Sequence, residues 1–237
     1  MHQLIILGNG FDLTCGLKSK FSDFYSDRTH GTGSIESIPK DERNVWDVIL
    51  YEIGQSDPLW CNIESLISAY VFQEDSSGSK LDHIYEQPMW TIDPSNPNQS
   101  EHPDNAVCNF VSTCLNNEYV TQKELTGFLL TSLKEYERIF ASYLKEQVDN
   151  HKSYREKAHE YFAAIRDDCI KKSEQKNLCS SILNFNYTTP FKPEDPCLGI
   201  VHARNVHGLL GRTETIFGID GKDVAEDDPA LPFTKTY

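Results

Sequence analysis

The sequence predicts an α/β fold in which a mostly parallel sheet carries a large helical insertion. Short apolar runs lie near the two ends of the 237-residue chain, whereas its long middle part is polar and has helical periodicity. Buried parallel strands appear in a sequence as continuous apolar runs because both of their faces are covered. We therefore expect a single α/β domain over residues 1–237, with a helical insertion at residues 40–175.

The predicted strands are four apolar runs, one at the start of the chain and three near its end. They are Leu4–Leu7, Ser181–Phe185, Val201–Ala203 with a continuation to Val206, and Thr215–Ile219. Because the segment between them is helical, the first run and the 181–219 block are expected to be neighbours in one sheet. Both faces of this sheet are expected to be covered.

The middle of the chain predicts a series of helices. The shorter ones are Leu17–Tyr25, Val45–Ile53 and Ile63–Phe72. The clearest helix follows a capping-box pattern at Thr121 and Glu124. Apolar residues recur along it at helical spacing and form one stripe; they are Leu125, Phe128, Leu129, Leu133, Tyr136, Phe140, Tyr143 and Leu144.

Two further segments complete the predicted insertion. Tyr154–Lys171 has a similar stripe and is a partner helix for the longest one. Residues 73–104 are rich in Ser, Pro, Asn and Asp, which predicts a loop-rich surface excursion. We interpret the helical insertion as a structural arm or as the surface of a homo-oligomer.

Charge and composition exclude several classes of protein. The net charge is -14, and nucleic acid is an unlikely partner because phosphate backbones are held by clustered Lys and Arg side chains. No apolar run reaches the roughly 18 residues of a membrane span. The N-terminus also lacks the basic region of a secretory signal.

The cysteines indicate a reducing compartment. Their number is seven, which is odd, and the sequence contains no C-x-x-C pair. We therefore expect reduced thiols and a cytoplasmic location. No Cys or His spacing is typical of a zinc finger, so no metal site is predicted.

The first candidate site element is the glycine turn Gly8-Asn9-Gly10-Phe11-Asp12, directly after the first strand. Glycine lets a backbone turn sharply and approach a ligand closely. The third glycine of the dinucleotide fingerprint is missing, so a phosphate cradle and a plain strand–turn–helix remain alternatives. The Asp12 carboxylate either caps the next helix or lies beside a ligand, where it repels phosphate.

The second and third elements follow two later strands. Asn184 and Asn186 alternate with aromatic residues at the end of one strand, and His207-Gly208 follows another. In a Rossmann-like, mostly parallel sheet, ligands bind at the carboxyl ends of the strands. Histidine titrates in the range needed for general acid–base chemistry. The structural alternatives are that Asn186 starts a turn and that His207 is a packing residue.

Cys15 is a weaker candidate. It lies near the start of the first predicted helix, where a thiol paired with a histidine base such as His207 can act as a nucleophile. A small buried cysteine is the commoner role for such a residue.

Three blocks of the sequence resemble the bacteriophage abortive-infection family AbiH. They are LIILGNGFDLTCGLKSKFSDF near the start, ILNFNYTTPF from residue 182, and VHGLLGRTETIFGID from residue 206. The blocks occur in family order, and the resemblance implies an anti-phage function. Members of this family usually continue beyond the FGID segment, so the chain is expected to be truncated or short at its C-terminus.

The same blocks are similar, at longer range, to sirtuin-like domains that consume NAD+. That resemblance implies that Asn186 orients the nicotinamide ribose and the attacking water, and that His207 contacts the ribose hydroxyls and acts as base. Gly8 and Gly10 are placed along the pyrophosphate, with Asn9, Phe11, Asp12, Asn184 and Gly208 completing the cofactor-binding set. The sequence departs from the sirtuin-like pattern at two positions, where Asp12 replaces a serine and Thr188 replaces an aspartate.

The resemblance therefore implies an NAD+ glycohydrolase that releases nicotinamide in phage defence, with NAD+ as substrate or ligand. Two alternatives come from other classes. One is a non-catalytic module that senses a nucleotide or ADP-ribose, and the other is a nuclease-type toxin. The acidic charge and the lack of a predicted metal cluster count against the nuclease.

Overall fold

The computed structural model describes residues 2–54, 63–71, 103–116, 122–173, 179–192, 199–210, 217–218 and 231–234. Within these ranges the fold is mixed α/β. Three strands, β1 (His2–Leu7), β2 (Cys179–Asn184) and β3 (Ile200–Asn205), form one parallel sheet in the order β1-β2-β3. Three of the four predicted strands are thereby confirmed. Of the fourth, Phe217 and Gly218 are described, and they belong to no strand.

The carboxyl ends of the three strands lie side by side. Leu7 pairs with Asn184, and Asn184 pairs with Asn205. The ladder continues past β2, because the Phe185 N–H donates to the Leu7 carbonyl and the Val206 N–H donates to the Asn184 carbonyl, each at 2.8 Å. The predicted adjacency of the first strand and the later block is confirmed.

One face of the sheet is packed and the other is open on β1. Leu7 and Ile182 form a buried cluster with Phe162 and Phe191. On the opposite face, Leu4 and Ile6 are each 63 % exposed. The expectation that both faces are covered is therefore wrong for β1, because a continuous apolar run does not itself say that a neighbour exists on each side.

The five predicted helices are present among the described residues, one of them with a different start, and two further helices are additions. In chain order the described helices are α1 (Asn9–Thr14), α2 (Phe21–Arg28), α3 (Val45–Gly54), α4 (Ile63–Val71), α5 (Pro103–Leu115), α6 (Gln122–Asn150) and α7 (Tyr154–Ser173). Short 3₁₀ turns occupy Ile35–Ser37 and Leu231–Phe233. No described helix has the length and apolarity needed to cross a membrane.

The prediction of a helix over Leu17–Tyr25 is wrong at its start. The short helix α1 ends at Thr14, and Gly16 just beyond it has a φ of +88°, in the left-handed region that favours glycine. The Leu17 N–H turns back to donate to the Asp12 carbonyl, at 3.0 Å. The chain therefore leaves helical geometry here, and α2 begins only at Phe21.

The long helix α6 matches its predicted stripe. Seven of the eight predicted residues are buried; they are Leu125, Leu129, Leu133, Tyr136, Phe140, Tyr143 and Leu144. The predicted cap, Thr121, lies outside the described residues. So does the excursion at 73–104, except for its last two residues, which begin α5. Proline is accepted in a first helical turn, since its missing N–H has no intrahelical acceptor there.

Internal contacts divide the chain into two compact units. One comprises Met1–Phe24 and Glu137–Ile216 and contains the sheet, and the other comprises Tyr25–Tyr136 and Phe217–Tyr237. The single domain over 1–237 and the insertion at 40–175 stay predictions.

A buried ion pair lies in the second unit. The Arg28 guanidinium donates from Nε and Nη2 to the two carboxylate oxygens of Asp47, both at 2.6 Å. The Asp47 side chain is fully buried, and it also accepts from the Asn44 N–H at 2.8 Å, which caps α3. Arg28 lies over the Tyr136 ring, 5.5 Å from its centroid. Asp47 therefore joins α2 to the start of α3.

Candidate functional site

The glycine turn after β1 is exposed and has free space beside its backbone. Gly8 is extended, with φ -124° and ψ 174°, and Gly10 is helical within α1. Apart from the adjoining residues and the backbone of α1 itself, a Cβ atom built on either glycine meets no atom of the described residues within 4 Å. Neither backbone geometry nor packing inside the protein thus requires glycine at these two positions.

Two side chains anchor this turn to the rest of the unit. The Asn9 Oδ1 atom accepts from the Ser19 hydroxyl at 2.5 Å. The Phe11 ring packs on α7, with its centroid 5.1 Å from that of Phe162 and 6.1 Å from that of Tyr161. The predicted ligand contacts of Asn9 and Phe11 stay predictions.

Asp12 lies in a buried cluster of polar side chains. It is 1 % exposed. Its Oδ1 atom accepts from the Tyr154 hydroxyl at 2.7 Å, and its Oδ2 atom accepts from the Thr188 hydroxyl at 2.5 Å. The two hydroxyl oxygens are 3.0 Å apart. The carboxylate thus links α1 to the first residue of α7 and to the turn after β2.

Burial dominates the ionisation of this cluster. It raises the pKa of Asp12, and the hydrogen bonds from Thr188 and Tyr154 offset only part of that effect. Burial, followed by the charge of Asp12, raises the pKa of Tyr154. The same two causes raise the pKa of the Cys15 thiol to about 11. Cys15 is therefore a neutral thiol near pH 7, which argues against its role as a nucleophile.

Asn184, at the end of β2, is fully buried and holds the following turn in place. Its Nδ2 atom donates to the Thr188 carbonyl at 2.6 Å and to the Asn205 Oδ1 atom at 2.7 Å. Its Oδ1 atom accepts from the Asn186 N–H at 3.1 Å. Its side chain therefore connects β2, β3 and residues 186–188, and its predicted contact with a ligand stays a prediction.

Asn186 is the unusual member of this turn. It is 1 % exposed. In the described part of the chain, neither its Nδ2 atom nor its Oδ1 atom has a hydrogen-bond partner. A buried amide without partners costs about 1–3 kcal/mol per group, and native proteins rarely keep one without a reason.

His207 follows β3 and lies beside the same turn. Its ring centroid is 5.2 Å from that of Tyr187 and 6.3 Å from that of Phe185, the two residues that flank Asn186 in the chain. Gly208 has a φ of +85°, which favours glycine at this position. The structure thus brings His207 to the edge of the sheet where the turn with Asn186 lies.

Sequence reasoning missed three members of this edge. Tyr154 was assigned only to an apolar stripe, and Thr188 was noted only as a departure from a motif. Asn205 lies directly before Val206, the last residue of the predicted strand, and its polar side chain at a strand end is the one signal that marks it. The two departures from the sirtuin-like pattern, Asp12 and Thr188, contact each other.

Two further features concern possible ligands. A cavity of about 440 Å³ lies between the first turns of α7 and residues 190–192, and none of the predicted site residues lines it. Where side chains are described, no group of three or more His, Cys, Asp or Glu residues is placed to hold a metal ion.

Comparisons with known proteins identify the family of the chain. Neither the curated proteins nor the solved structures include a significant match to the chain. The family model described as bacteriophage abortive infection AbiH matches residues 4–228, and the chain therefore belongs to this family.

Proposed function

We propose that this protein acts in abortive infection by hydrolysing NAD+ at a sirtuin-like, Rossmann-like sheet edge. Its family supports the anti-phage role. The observation that carries the enzymatic proposal is the buried Asn186 carboxamide, which has no described protein partner and follows the central strand of the sheet. A carboxamide offers a donor and an acceptor together, as recognition of ribose hydroxyls or a water requires.

The glycine turn supports binding of a dinucleotide at this edge. Gly8 and Gly10 leave their backbone open to close approach, and none of the described residues packs into that space. Backbone N–H groups bind phosphate without basic side chains. A diphosphate is therefore compatible with a chain whose net charge is -14.

The proposed chemistry divides the work between two residues. Cleavage of a glycosidic bond proceeds through a transition state with oxocarbenium character, so the protein must hold the ribose and place a water on the opposite face. Asn186 holds and orients these groups through its carboxamide. A ring nitrogen of His207 accepts the proton that the attacking water releases.

One observation favours a second candidate, a non-catalytic sensor of a nucleotide or ADP-ribose. At the described strand ends the one carboxylate is that of Asp12, and both of its oxygens accept from protein hydroxyls. His207 is then the sole candidate base among the described residues at this edge. Binding without turnover is the behaviour that this alternative predicts.

Nicotinamide release from NAD+ tests the proposal. The wild-type protein is expected to release nicotinamide, and Asn186→Ala and His207→Ala are each expected to lower the rate at least about 100-fold, as for loss of a general base or a positioned group. His202→Ala, on the exposed edge strand β3, is the matched control and is expected to keep the wild-type rate. Equal turnover in all four proteins overturns the assignment, and ADP-ribose binding without release favours the sensor.

A further inference from the structure

We infer that Asp12 is a positioning residue, which fixes the turn that carries Asn186 through Thr188 and Asn184. This inference deepens the proposed function and rests on it for the identity of the ligand. It differs from the sequence-based expectation, in which Asp12 belongs to the ligand-binding set.

The connection runs through consecutive hydrogen bonds. The Thr188 hydroxyl donates to Asp12, and the Thr188 carbonyl accepts from Asn184. The other end of the Asn184 carboxamide accepts from the Asn186 N–H. Both ends of the five-residue turn 184–188 are thus held, and Asn186 lies in its middle.

A carboxylate suits this position because it has two oxygens to offer. Oδ2 holds the Thr188 hydroxyl, and Oδ1 holds the Tyr154 hydroxyl at the start of α7. A serine or alanine at residue 12 cannot hold both hydroxyl groups at once. Asp12 therefore fixes the Thr188 rotamer relative to a helix, and the turn with it.

The position of this carboxylate is costly, which indicates a role other than stability. Asp12 and Thr188 are each 1 % exposed, as is Tyr154. In the described part of the chain, the hydrogen-bond partners of the Asp12 side chain are these two neutral hydroxyl groups. Burying a carboxylate without a cation costs free energy even when hydroxyls solvate it.

Hydrogen–deuterium exchange tests the inference without any ligand. The Asn186 N–H is expected to lose protection at least about tenfold in Asp12→Ser and in Tyr154→Phe, because the hydrogen bonds that fix its turn are weakened. Tyr143→Phe is the matched control: it removes a tyrosine hydroxyl bond of 3.0 Å to the Lys18 carbonyl in the same unit, outside the cluster. Unchanged protection in Asp12→Ser, or equal loss in Tyr143→Phe, overturns the inference.

Exchanging the side chains of residues 12 and 188 tests whether lost ADP-ribose binding can be restored. Asp12→Ser and Thr188→Asp are each expected to weaken ADP-ribose binding about tenfold or more in calorimetry. The double variant Asp12→Ser/Thr188→Asp restores a carboxylate–hydroxyl contact and is expected to recover most of the affinity. Failure of the double variant to bind better than either single variant contradicts the inference.

A second combination tests whether Asp12 acts through Asn186. If it does, Asp12→Ser lowers the ADP-ribose affinity of the wild-type protein but not that of Asn186→Ala. Equal losses in the two backgrounds contradict the inference. If the wild-type protein binds neither NAD+ nor ADP-ribose, the proposed function is wrong, and the exchange result alone decides the role of Asp12.

Discussion

Asn184 and Asn186 are only two residues apart and are both buried, yet the protein uses them differently. The carboxamide of Asn184 makes three hydrogen bonds within the protein. That of Asn186 makes none to the described residues. At the scale of single residues, hydrogen bonds within the protein account for the burial of Asn184. They do not account for the burial of Asn186, which we attribute to a ligand.

This difference gives opposite expectations for the same substitution. Asn184→Leu removes the partner of three polar groups, of which the Thr188 carbonyl and the Asn186 N–H are buried, and is expected to lower the free energy of unfolding by at least about 2 kcal/mol. Asn186→Leu keeps the number of side-chain heavy atoms and removes two unsatisfied atoms, so it is expected to change the free energy of unfolding by less than about 1 kcal/mol or to raise it. Urea unfolding measures both. A loss at Asn186 as large as that at Asn184 indicates a structural role instead.

At the scale of elements, the short helix α1 contains a residue that lowers its stability. Glycine within a helix costs about 0.5–1 kcal/mol relative to alanine. Gly10 nevertheless occupies α1, where an added Cβ meets open space. The helix therefore gives up stability at the turn where the nucleotide is proposed to bind.

Gly10→Ala separates the stability of the protein from its affinity for the nucleotide. It is expected to stabilise the protein by about 0.5–1 kcal/mol and to weaken ADP-ribose binding, because the new methyl group enters the space beside the backbone. Gly127→Ala is the control, since Gly127 lies within α6 and its Cβ position is equally open. It is expected to stabilise similarly without changing affinity. Equal affinities of both variants and the wild type place the ligand away from the glycine turn.

Local patterns predicted the elements better than their ends and surroundings. The apolar stripe of α6 and the three strands β1–β3 follow from periodicity, which is a local property of the sequence. The exposure of Leu4 and Ile6 depends on which elements pack nearby, and no local pattern records that. The chain leaves helical geometry at Gly16 because this residue has a left-handed backbone angle. A glycine in the sequence permits such an angle but does not predict it.

The candidate site shows the same division. The strand ends were predicted to meet because parallel strands of one sheet share an edge, and they do. The partners of Asp12 come from residues 142 and 176 positions away along the chain. Contacts of that range depend on the fold as a whole, so sequence reasoning assigned Asp12 to a ligand and Tyr154 to packing.

At the scale of the whole molecule, the two compact units contain buried charges of different kinds. In the unit of the sheet, Asp12 is held by hydroxyl groups. In the other unit, Asp47 is paired with Arg28 through two hydrogen bonds. An ion pair that also holds the start of a helix is a structural feature, whereas Asp12, which has no cation among its described partners, is proposed to serve the site.

Asp47→Ala tests the structural assignment. It leaves the Arg28 guanidinium buried without its carboxylate and the Asn44 N–H without its acceptor, so the free energy of unfolding is expected to fall by about 3–5 kcal/mol. Asp149→Ala removes an exposed pair with Lys145 and is expected to cost less than about 1 kcal/mol. Chemical denaturation measures both. A loss below about 1 kcal/mol for Asp47→Ala shows that the pair contributes little.

The contact between Asp12 and Thr188 also limits the order in which a lineage can exchange these residues. If aspartate appears first at residue 188, two carboxylates share one buried contact, and their repulsion must be relieved by protonation or by movement of the chain. If serine first replaces Asp12, two hydroxyl groups remain and can hydrogen-bond to each other. The hydroxyl pair is the intermediate of lower free energy, so the exchange is less costly when the change at residue 12 comes first.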